Sequence, residues 1–476
     1  MRSRHRRNRV PSFRVALLVL TLFGLSIPGC EPPPAQDDGG TSLTDEQVVN
    51  LVERSYPYVT MYNVNNKFAM AQGGWNTCVA DTQLKDHTLT DIARPNNDTF
   101  YVTCMLDLRN DWVVLEMPAF DSKYASLMIT GYDHYVNIPM ASRLGDFQEP
   151  TRLLIFTSRS QGYDAEPLEG VDRMFEATGD FVSAVIRVMP HASEPERMAR
   201  IAEQGQSVRA VTLSEFLGGE PTPAGDVDFP SVGETDLDVF ENNLTEVIQF
   251  AFDHTTFDPE TEMDQAVLAA WEPLGVIPGM GYDPDRIASI DGSRFRETAD
   301  RVRLDWLGSL ADPARFDALQ PRIFQPKGQT DLEAVLAVSI IGPIGIPWEE
   351  AVYPQVATSD GQPMNAMHDY VIRMTEDALP PHGAFWSLTL YDLENGFFLP
   401  NDRKKYSVGE NGGMVLNEDG GIEIWIAAEQ PEGVPEENWL PIERQDLDLS
   451  PQLRIYVPDL EALETWEAPV AERVER

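Results

Sequence analysis

The sequence lacks the short motifs that identify common enzymes. It has no G-x-S-x-G nucleophile elbow, no H-E-x-x-H zinc motif, no P-loop and no complete G-x-G-x-x-G fingerprint. Its seven histidines are isolated from one another, whereas a metal site on a β-strand needs histidines at alternate positions. His134, between Asp133 and Tyr135, is the best ligand candidate, and a surface or capping histidine is the alternative. We therefore predict no metal and no cofactor.

Basic residues are also scarce. The chain has 36 lysines and arginines against 77 aspartates and glutamates, for a formal net charge of −41. A surface this acidic repels the phosphates of nucleic acids and of anionic lipids. The sequence therefore predicts that nucleic acid is not a partner.

The basic residues of the N-terminus form a targeting signal. Residues 2–14 contain six arginines and residues 15–27 are apolar, as in an export signal peptide. The apolar run is shorter than the ~20 residues that cross a membrane. It ends in I-P-G-C at residues 27–30, which resembles the lipobox of bacterial lipoproteins. The resemblance implies that residues 1–29 are removed and that Cys30 carries a lipid, which anchors the exported protein to the cell-envelope membrane. An uncleaved anchor helix is the alternative.

The chain has only three cysteines. With Cys30 lipidated, Cys78 and Cys104 remain, and export allows them to form a disulfide. Cys104 lies on the apolar face of a predicted strand, which suits a free buried thiol equally well. The sequence leaves both alternatives open.

The composition divides the rest of the chain into four parts. Residues 30–43 are rich in proline, glycine and acidic residues, which predicts a flexible tether. Two β domains are predicted at residues 44–192 and 346–476, with short, regularly spaced strand patterns that begin at Arg94 and return from Trp348, and helical spacing dominates residues 193–345. The predicted fold is mainly β with α: two antiparallel jelly-roll-like β-sandwich domains joined by a helical segment.

A helix is predicted at the start of the first β domain. Thr44 and Gln47 form a capping box before an apolar run, which predicts a helix that ends at about Ser55. Residues 56–91 mix aromatic and polar residues without a clear period, so no element is predicted there.

The most ordered pattern of the first domain is residues 94–108, RPNNDTFYVTCMLDL. The turn-forming residues 95–98 lead into a two-residue alternation, which predicts a half-buried strand with a polar turn at its start. The apolar face of this strand contains Phe100, Val102, Cys104, Leu106 and Leu108.

Residues 384–392, AFWSLTLYD, predict a strand with apolar residues on both faces. Trp386, Leu388 and Leu390 share one face; the other face carries Phe385, Ser387, Thr389 and Tyr391. If the first face fills the core, the second lines either a cavity or a packed seam between domains.

Nine segments resemble a recurrent bacterial pair of domains of unknown function, 1254 followed by 1214. In the first block they are RPNNDTFY, the following LDL, and YASLMITGYDHYVNI (residues 124–138). In the second they are EAVYP, AFWSLTLYD, KKYSVG, NEDGGIEIWI, NWLP and LRIYVP. The resemblance implies two jelly-roll-like β domains joined by helices, and it implies no particular activity.

The residues best equipped for chemistry are Arg94, Asn96, Asn97, Asp98 and Tyr101. An arginine, two amides, a carboxylate and a phenol at the mouth of a β domain can orient a polar substrate. In this interpretation Arg94, Asn96 and Asn97 bind the ligand together with Tyr391, and Asp98 and Tyr101 are the catalytic candidates. The alternative is a turn in which Asn and Asp bond their own backbone and Arg94 pairs with Asp98.

Three functions fit this sequence. The first is a lipid-anchored envelope protein that binds a polar small molecule or a glycan-like ligand in a β-domain cleft. The second is an envelope hydrolase that uses carboxylate, tyrosine and arginine groups. The third is a structural or interaction lipoprotein without a small-molecule site. A homo-oligomer is compatible with all three, and whether the protein is an enzyme stays open.

Overall fold

The computed structural model describes residues 43–90, 94–160, 166–310 and 312–474. The predicted signal peptide, Cys30 and the tether up to residue 42 lie outside the described residues. Within the described residues there are ten α-helices and 18 β-strands. The helices are α1 (Asp45–Ala71), α2 (Pro195–Gln206), α3 (Leu213–Phe216), α4 (Asp236–Asn242), α5 (Leu244–Asp253), α6 (Glu262–Trp271), α7 (Gly292–Ser309), α8 (Pro313–Leu319), α9 (Leu332–Ile341) and α10 (Leu460–Leu463). The strands are β1 (Thr77–Asp81), β2 (Phe100–Asp107), β3 (Val113–Met117), β4 (Ala125–Thr130), β5 (Val136–Ala141), β6 (Thr151–Phe156), β7 (Arg173–Glu176), β8 (Phe181–Val188), β9 (Arg209–Thr212), β10 (Ala351–Val352), β11 (Met364–Asn365), β12 (Asp369–Met374), β13 (His382–Asp392), β14 (Ser407–Gly409), β15 (Ile422–Ala427), β16 (Trp439–Pro441), β17 (Asp448–Pro458) and β18 (Ala471–Val474).

Two sheets enclose the core of the N-terminal domain. One has the strand order β1-β2-β8-β4-β5 and the other the order β7-β6-β3-β9. Neighbouring strands are antiparallel except β6 and β7, which are parallel. The strand predicted after the residue 95–98 turn is β2, and its apolar face packs into this core as the alternation predicts.

The remaining two cysteines form a disulfide. Cys78 on β1 lies directly opposite Cys104 on β2, with the Cα atoms 4.1 Å apart. The bridge ties an edge strand of the sheet to its neighbour. Of the two alternatives left open by the sequence, the structure therefore contains the bridged one.

Replacing Cys78 and Cys104 together with alanine is expected to lower the free energy of unfolding by about 3 kcal/mol. The bridge joins residues 26 positions apart, so its loss gives the unfolded chain more conformations. Urea unfolding of the double variant, beside oxidised and reduced wild-type protein, measures the difference. The same midpoint for the oxidised protein and the double variant would contradict this expectation.

The C-terminal domain repeats the two-sheet arrangement. One sheet has the order β10-β17-β13-β14, with β11 also paired to β17, and the other has the order β16-β15-β12-β18. Only β15 and β16 are parallel neighbours among these described strands. Trp386, Leu388 and Leu390 pack into the core between the sheets, as predicted.

The first helix is longer than predicted. Its capping box at Thr44 is confirmed, but α1 continues through Pro57 to Ala71 instead of ending near Ser55. The predicted end was wrong because α1 is buried on most of its sides, which removes the polar stripe that marks an amphipathic helix. Pro57 also suggests a helix end, since a proline removes one backbone hydrogen bond.

Several helices pack together around α1. Helix α1 packs against α5, α6, α7 and α9, around the buried rings of Tyr56, Tyr62, Phe240 and Trp271. Residues 193–345 contain α2 to α9 and also β9, which pairs with β3 of the first domain. Among the described helices, none has the length and apolar character needed to cross a membrane. The predicted class, mainly β with α, is confirmed; the jelly-roll topology stays a prediction.

Candidate functional site

Two sheets from different domains meet through their outer faces. Tyr124, directly before β4, packs against Phe385 of β13 and Tyr456 of β17, with ring centroids 5.9 Å and 5.2 Å away. We call this contact the domain seam. Its polar residues are Asp98, Tyr101, Arg187, Glu350, Tyr353, Ser387, Tyr391, Arg454 and Tyr456. The second face of β13 therefore lines a packed seam, one of the two arrangements that the sequence left open.

The turn before β2 docks onto the second domain. The side-chain oxygen of Asn96 accepts a hydrogen bond from the backbone N–H of Asp98 at 2.7 Å, as expected for a turn-forming asparagine. The amide group of Asn96 also donates to the Tyr456 hydroxyl at 3.0 Å, and Asn97 accepts from the backbone of Lys85 at 2.7 Å. Both asparagines thus have structural roles, whereas the Arg94 side chain is exposed.

Asp98 lies at the centre of the domain seam and has no solvent-accessible surface. One carboxyl oxygen accepts hydrogen bonds from Ser387 Oγ at 2.7 Å and from the Tyr456 hydroxyl at 3.2 Å. The other carboxyl oxygen has no described partner. Burial raises the pKa of Asp98, although the positive charge of Arg454 opposes this effect. The carboxyl therefore joins the two domains from a position that solvent does not reach.

Arg454 and Tyr391 form a second buried polar group in the domain seam. The guanidinium donates to the Tyr391 hydroxyl at 2.9 Å, to Thr389 Oγ1 at 3.2 Å and to the carbonyl of Arg94 at 3.3 Å. The Tyr391 hydroxyl donates in turn to the carbonyl of Pro95 at 2.7 Å. Burial disfavours the charge of Arg454, but Tyr391 and Asp98 outweigh burial and raise its pKa. Tyr391, predicted as a ligand-binding residue, is thus buried and hydrogen-bonded.

Tyr101 and Tyr353 lie at the rim of the domain seam, and both are only partly buried. Neither hydroxyl has a hydrogen-bond partner in the described part of the chain. The guanidinium of Arg187 lies 5.5 Å from the centre of the Tyr101 ring. Tyr353 interacts electrostatically with both Arg454 and Arg187. The rim therefore offers two free hydroxyls beside two arginines.

Glu350 is the second buried carboxylate of the domain seam. It forms an ion pair with Arg143 of the first domain through one oxygen, and its other oxygen has no described partner. Burial raises the pKa of Glu350, and the hydrogen bond from Arg143 opposes the rise. The pair is a second polar connection between the domains.

His134 is a buried structural residue rather than a surface or capping histidine. Its Nδ1 lies 2.8 Å from Ser339 Oγ and its Nε2 lies 2.9 Å from the carbonyl oxygen of Pro343. Burial lowers the pKa of His134 to about 4. Both nitrogens already have partners, and the described residues contain no group of three His, Cys, Asp or Glu arranged for a metal ion.

Sequence reasoning identified part of the domain seam and missed its buried arginines. It singled out Asp98, Tyr101 and Tyr391, but not Arg187, Arg454 or their contacts. Each arginine interrupts an apolar strand, in VIRV of β8 and LRIYV of β17. A charged residue inside such a run is the signal that predicts a buried, functional or paired arginine.

The fold is that of a two-domain β protein with a helical layer. The chain belongs to the family of proteins that pair two domains of unknown function: residues 75–210 match "Protein of unknown function (DUF1254)" and residues 350–460 match "Protein of unknown function (DUF1214)". The resemblance found in the sequence is therefore confirmed. The matched ranges contain every polar residue of the domain seam named above.

A solved structure of similar fold is the VPA0106 protein from Vibrio parahaemolyticus. It is 20% identical, with a TM-score of 0.67 over 90% of this chain and 100% of that chain. An uncharacterized protein from Burkholderia cenocepacia is 12% identical, with a TM-score of 0.41 over 90% of this chain and 95% of its own. The comparison with curated proteins gave no match. At these identities the first likeness shows the fold alone.

Proposed function

We propose that this is an exported, lipid-anchored envelope protein that binds a polar small molecule or a glycan-like ligand at the rim of the domain seam. The observation that carries the proposal is the pair of partly buried tyrosines, Tyr101 and Tyr353, whose hydroxyls have no described partner. The residues behind them, Asp98 and Arg454, are buried and hydrogen-bonded. Fixed polar groups behind a partly open rim are typical of ligand sites.

Two features support the proposed location. The arginine-rich leader and the I-P-G-C segment at residues 27–30 suit export and acylation at Cys30. The disulfide between Cys78 and Cys104 suits an oxidising compartment such as the periplasm or the cell surface.

The geometry supports the hydrolase alternative less well. A general base must come within hydrogen-bond reach of the proton it removes. Asp98 has no exposed surface, and Ser387 and Tyr456 occupy one of its oxygens. In the proposed function Asp98 therefore positions the second domain against the first and does not touch the ligand.

Native mass spectrometry of the soluble body, residues 43–476, after incubation with cell-envelope extract tests the proposal. We expect a bound species in wild-type protein that is lost in the double variant Tyr101→Phe, Tyr353→Phe. Tyr370→Phe is the matched control, since this hydroxyl accepts a hydrogen bond from the Asn365 backbone far from the domain seam. If no species binds wild-type protein, the remaining hypothesis is a structural or interaction lipoprotein without a small-molecule site.

Two substitutions of Asp98 separate a positioning role from a catalytic one. Asp98→Asn keeps an acceptor for Ser387 and Tyr456, so we expect its free energy of unfolding to stay within about 1 kcal/mol of wild type. Asp98→Leu leaves both buried hydroxyls without that acceptor and is expected to lose about 3 kcal/mol. Chemical denaturation measures both values.

The same Asp98→Asn variant should retain the species bound by wild-type protein. If it binds the ligand but no longer converts a ligand that wild-type protein converts, the hydrolase hypothesis replaces the positioning role.

A further inference from the structure

Arg187 is a buried cation that makes no ion-pair contact, although its charge interacts with the Glu350 carboxylate over a longer distance. It lies on the outer face of β8, only 3% exposed, and forms no ion pair with any described carboxylate. Its contacts with polar groups are weak: the Met128 sulfur at 3.8 Å and the Ile344 carbonyl at 3.4 Å. A guanidinium carries five N–H donors, and burial without compensating acceptors costs stability.

Other arginines of the protein have oxygen partners at close range. Arg454, which is also buried, donates to three oxygen atoms, and the more exposed Arg143 pairs with Glu350. Arg109 forms two hydrogen bonds with the Asp107 carboxylate, at 2.9 Å and 2.8 Å. Arg187 therefore departs from the pattern within the same protein.

Three residues around Arg187 are partly accessible to solvent. Tyr101, whose ring lies under the guanidinium, is half-buried, and so is Ile344, whose carbonyl Arg187 contacts. Tyr353 is also half-buried and interacts electrostatically with Arg187. Aromatic rings and free hydroxyls thus flank the unpaired charge.

The domain seam carries a local excess of positive charge in a strongly acidic protein. The domain seam contains three arginines, Arg143, Arg187 and Arg454, and two carboxyl groups, Asp98 and Glu350, so their formal charges sum to +1. The chain as a whole has a formal net charge of −41. A positive, partly buried site in such a protein is selective for an anion that fits it, because the rest of the surface repels anions.

We propose that Arg187 binds the anionic group of the seam ligand, a carboxylate or phosphate on a small polar molecule such as an acidic sugar. The planar fork of a guanidinium matches either group with two parallel hydrogen bonds. Tyr101 and Tyr353 supply hydroxyls and ring faces for the remainder of the ligand. This inference rests on the proposed function and adds the chemical class of the ligand.

Calorimetric titration and thermal unfolding with defined probes test the inference on the soluble body, residues 43–476. Galacturonate and galactose differ by a carboxylate, and galactose 6-phosphate and inorganic phosphate test the phosphate arm. We expect at least one acidic probe to bind and to raise the unfolding temperature, and galactose to bind at least tenfold more weakly than that probe. Binding of inorganic phosphate alone would assign the site to a free ion rather than a sugar acid, and it would still support the anion site.

Arg187→Met is expected to weaken binding of the acidic probe at least tenfold. Without a probe, this variant should unfold at the same temperature as wild type or higher, because it replaces an unpaired buried charge with an apolar side chain. Arg209→Met removes an equal charge from an exposed position on β9 and should leave binding unchanged. A purely structural role predicts the reverse: a lower unfolding temperature for Arg187→Met and unchanged binding.

The failures of the two proposals are distinguishable. A neutral bound species from envelope extract, together with no binding of any acidic probe, would overturn the anion site and leave the proposed function. The absence of any bound species, from extract or probe, would overturn both.

Discussion

Arg454→Met is expected to lower the free energy of unfolding by about 3–5 kcal/mol, because it removes one member of a buried polar network and leaves the others without partners. The hydroxyl of Tyr391, Thr389 Oγ1 and the Arg94 carbonyl all lose their donor. Asp98 also loses the positive charge that opposes the effect of burial on its pKa. The loss of unfolding free energy should be larger for Arg454→Met than for the replacement of another residue of the same sheet by an apolar one.

Urea unfolding, followed by tryptophan fluorescence, measures this effect. Arg473→Met, an exposed arginine on β18, is the control and should change stability by no more than about 0.5 kcal/mol. A loss below about 1 kcal/mol for Arg454→Met would mean that the two domains are held together mainly by apolar contacts such as Tyr124 with Phe385.

Asp133 is expected to cost wild-type protein about 4 kcal/mol of unfolding free energy as the pH rises from about 4 to about 7, and Asp133→Asn should remove this loss. Asp133 is buried, with one oxygen accepting from Thr178 Oγ1 at 3.1 Å and the other without a described partner. Burial raises its pKa to about 7 from 3.8, and Lys327 opposes the rise. Below about pH 4 the carboxyl is protonated in both the folded and the unfolded chain, so its ionisation makes no contribution to the free energy of unfolding.

Above about pH 4 the unfolded chain loses this proton while the folded protein keeps it until about pH 7. Wild-type stability therefore falls by about 1.4 kcal/mol per pH unit over this range from Asp133 alone. Urea unfolding of wild type and Asp133→Asn at pH 4, 5.5 and 7 should show a difference that grows in favour of the variant. Asp305→Asn, at an exposed position on α7, is the control. A difference that does not change with pH would show that the folded environment leaves this carboxyl unperturbed.

The strands were predictable because their faces meet different environments. Alternation placed Cys104 and Leu106 on the buried face of β2, and Trp386 and Leu388 on the buried face of β13. Both assignments are confirmed, since a residue period of two is a local property of an extended chain. The full length of α1 was not predictable, because a helix surrounded by other helices shows no polar face.

The candidate site was predictable only in part. Asp98 was identified from its turn, yet the groups that bond it, Ser387 and Tyr456, lie 289 and 358 residues further along the chain. Arg187 makes no ion-pair contact in the described structure, and its longer-range interaction is with Glu350, 163 residues further along the chain. A contact between distant strands depends on which outer faces pack together, and no short sequence pattern indicates which faces do so.

By itself the sequence determined the acidic character of the protein, its mainly β class and its membership of the paired families, because each depends on composition or on local patterns. Only the tertiary structure decided that Cys78 joins Cys104, that Asp98 is sealed between the domains, and that Arg187 is buried without an ion-pair contact. The physical reason is that pairing and desolvation arise when separate faces pack together, and packing is a property of the whole folded chain.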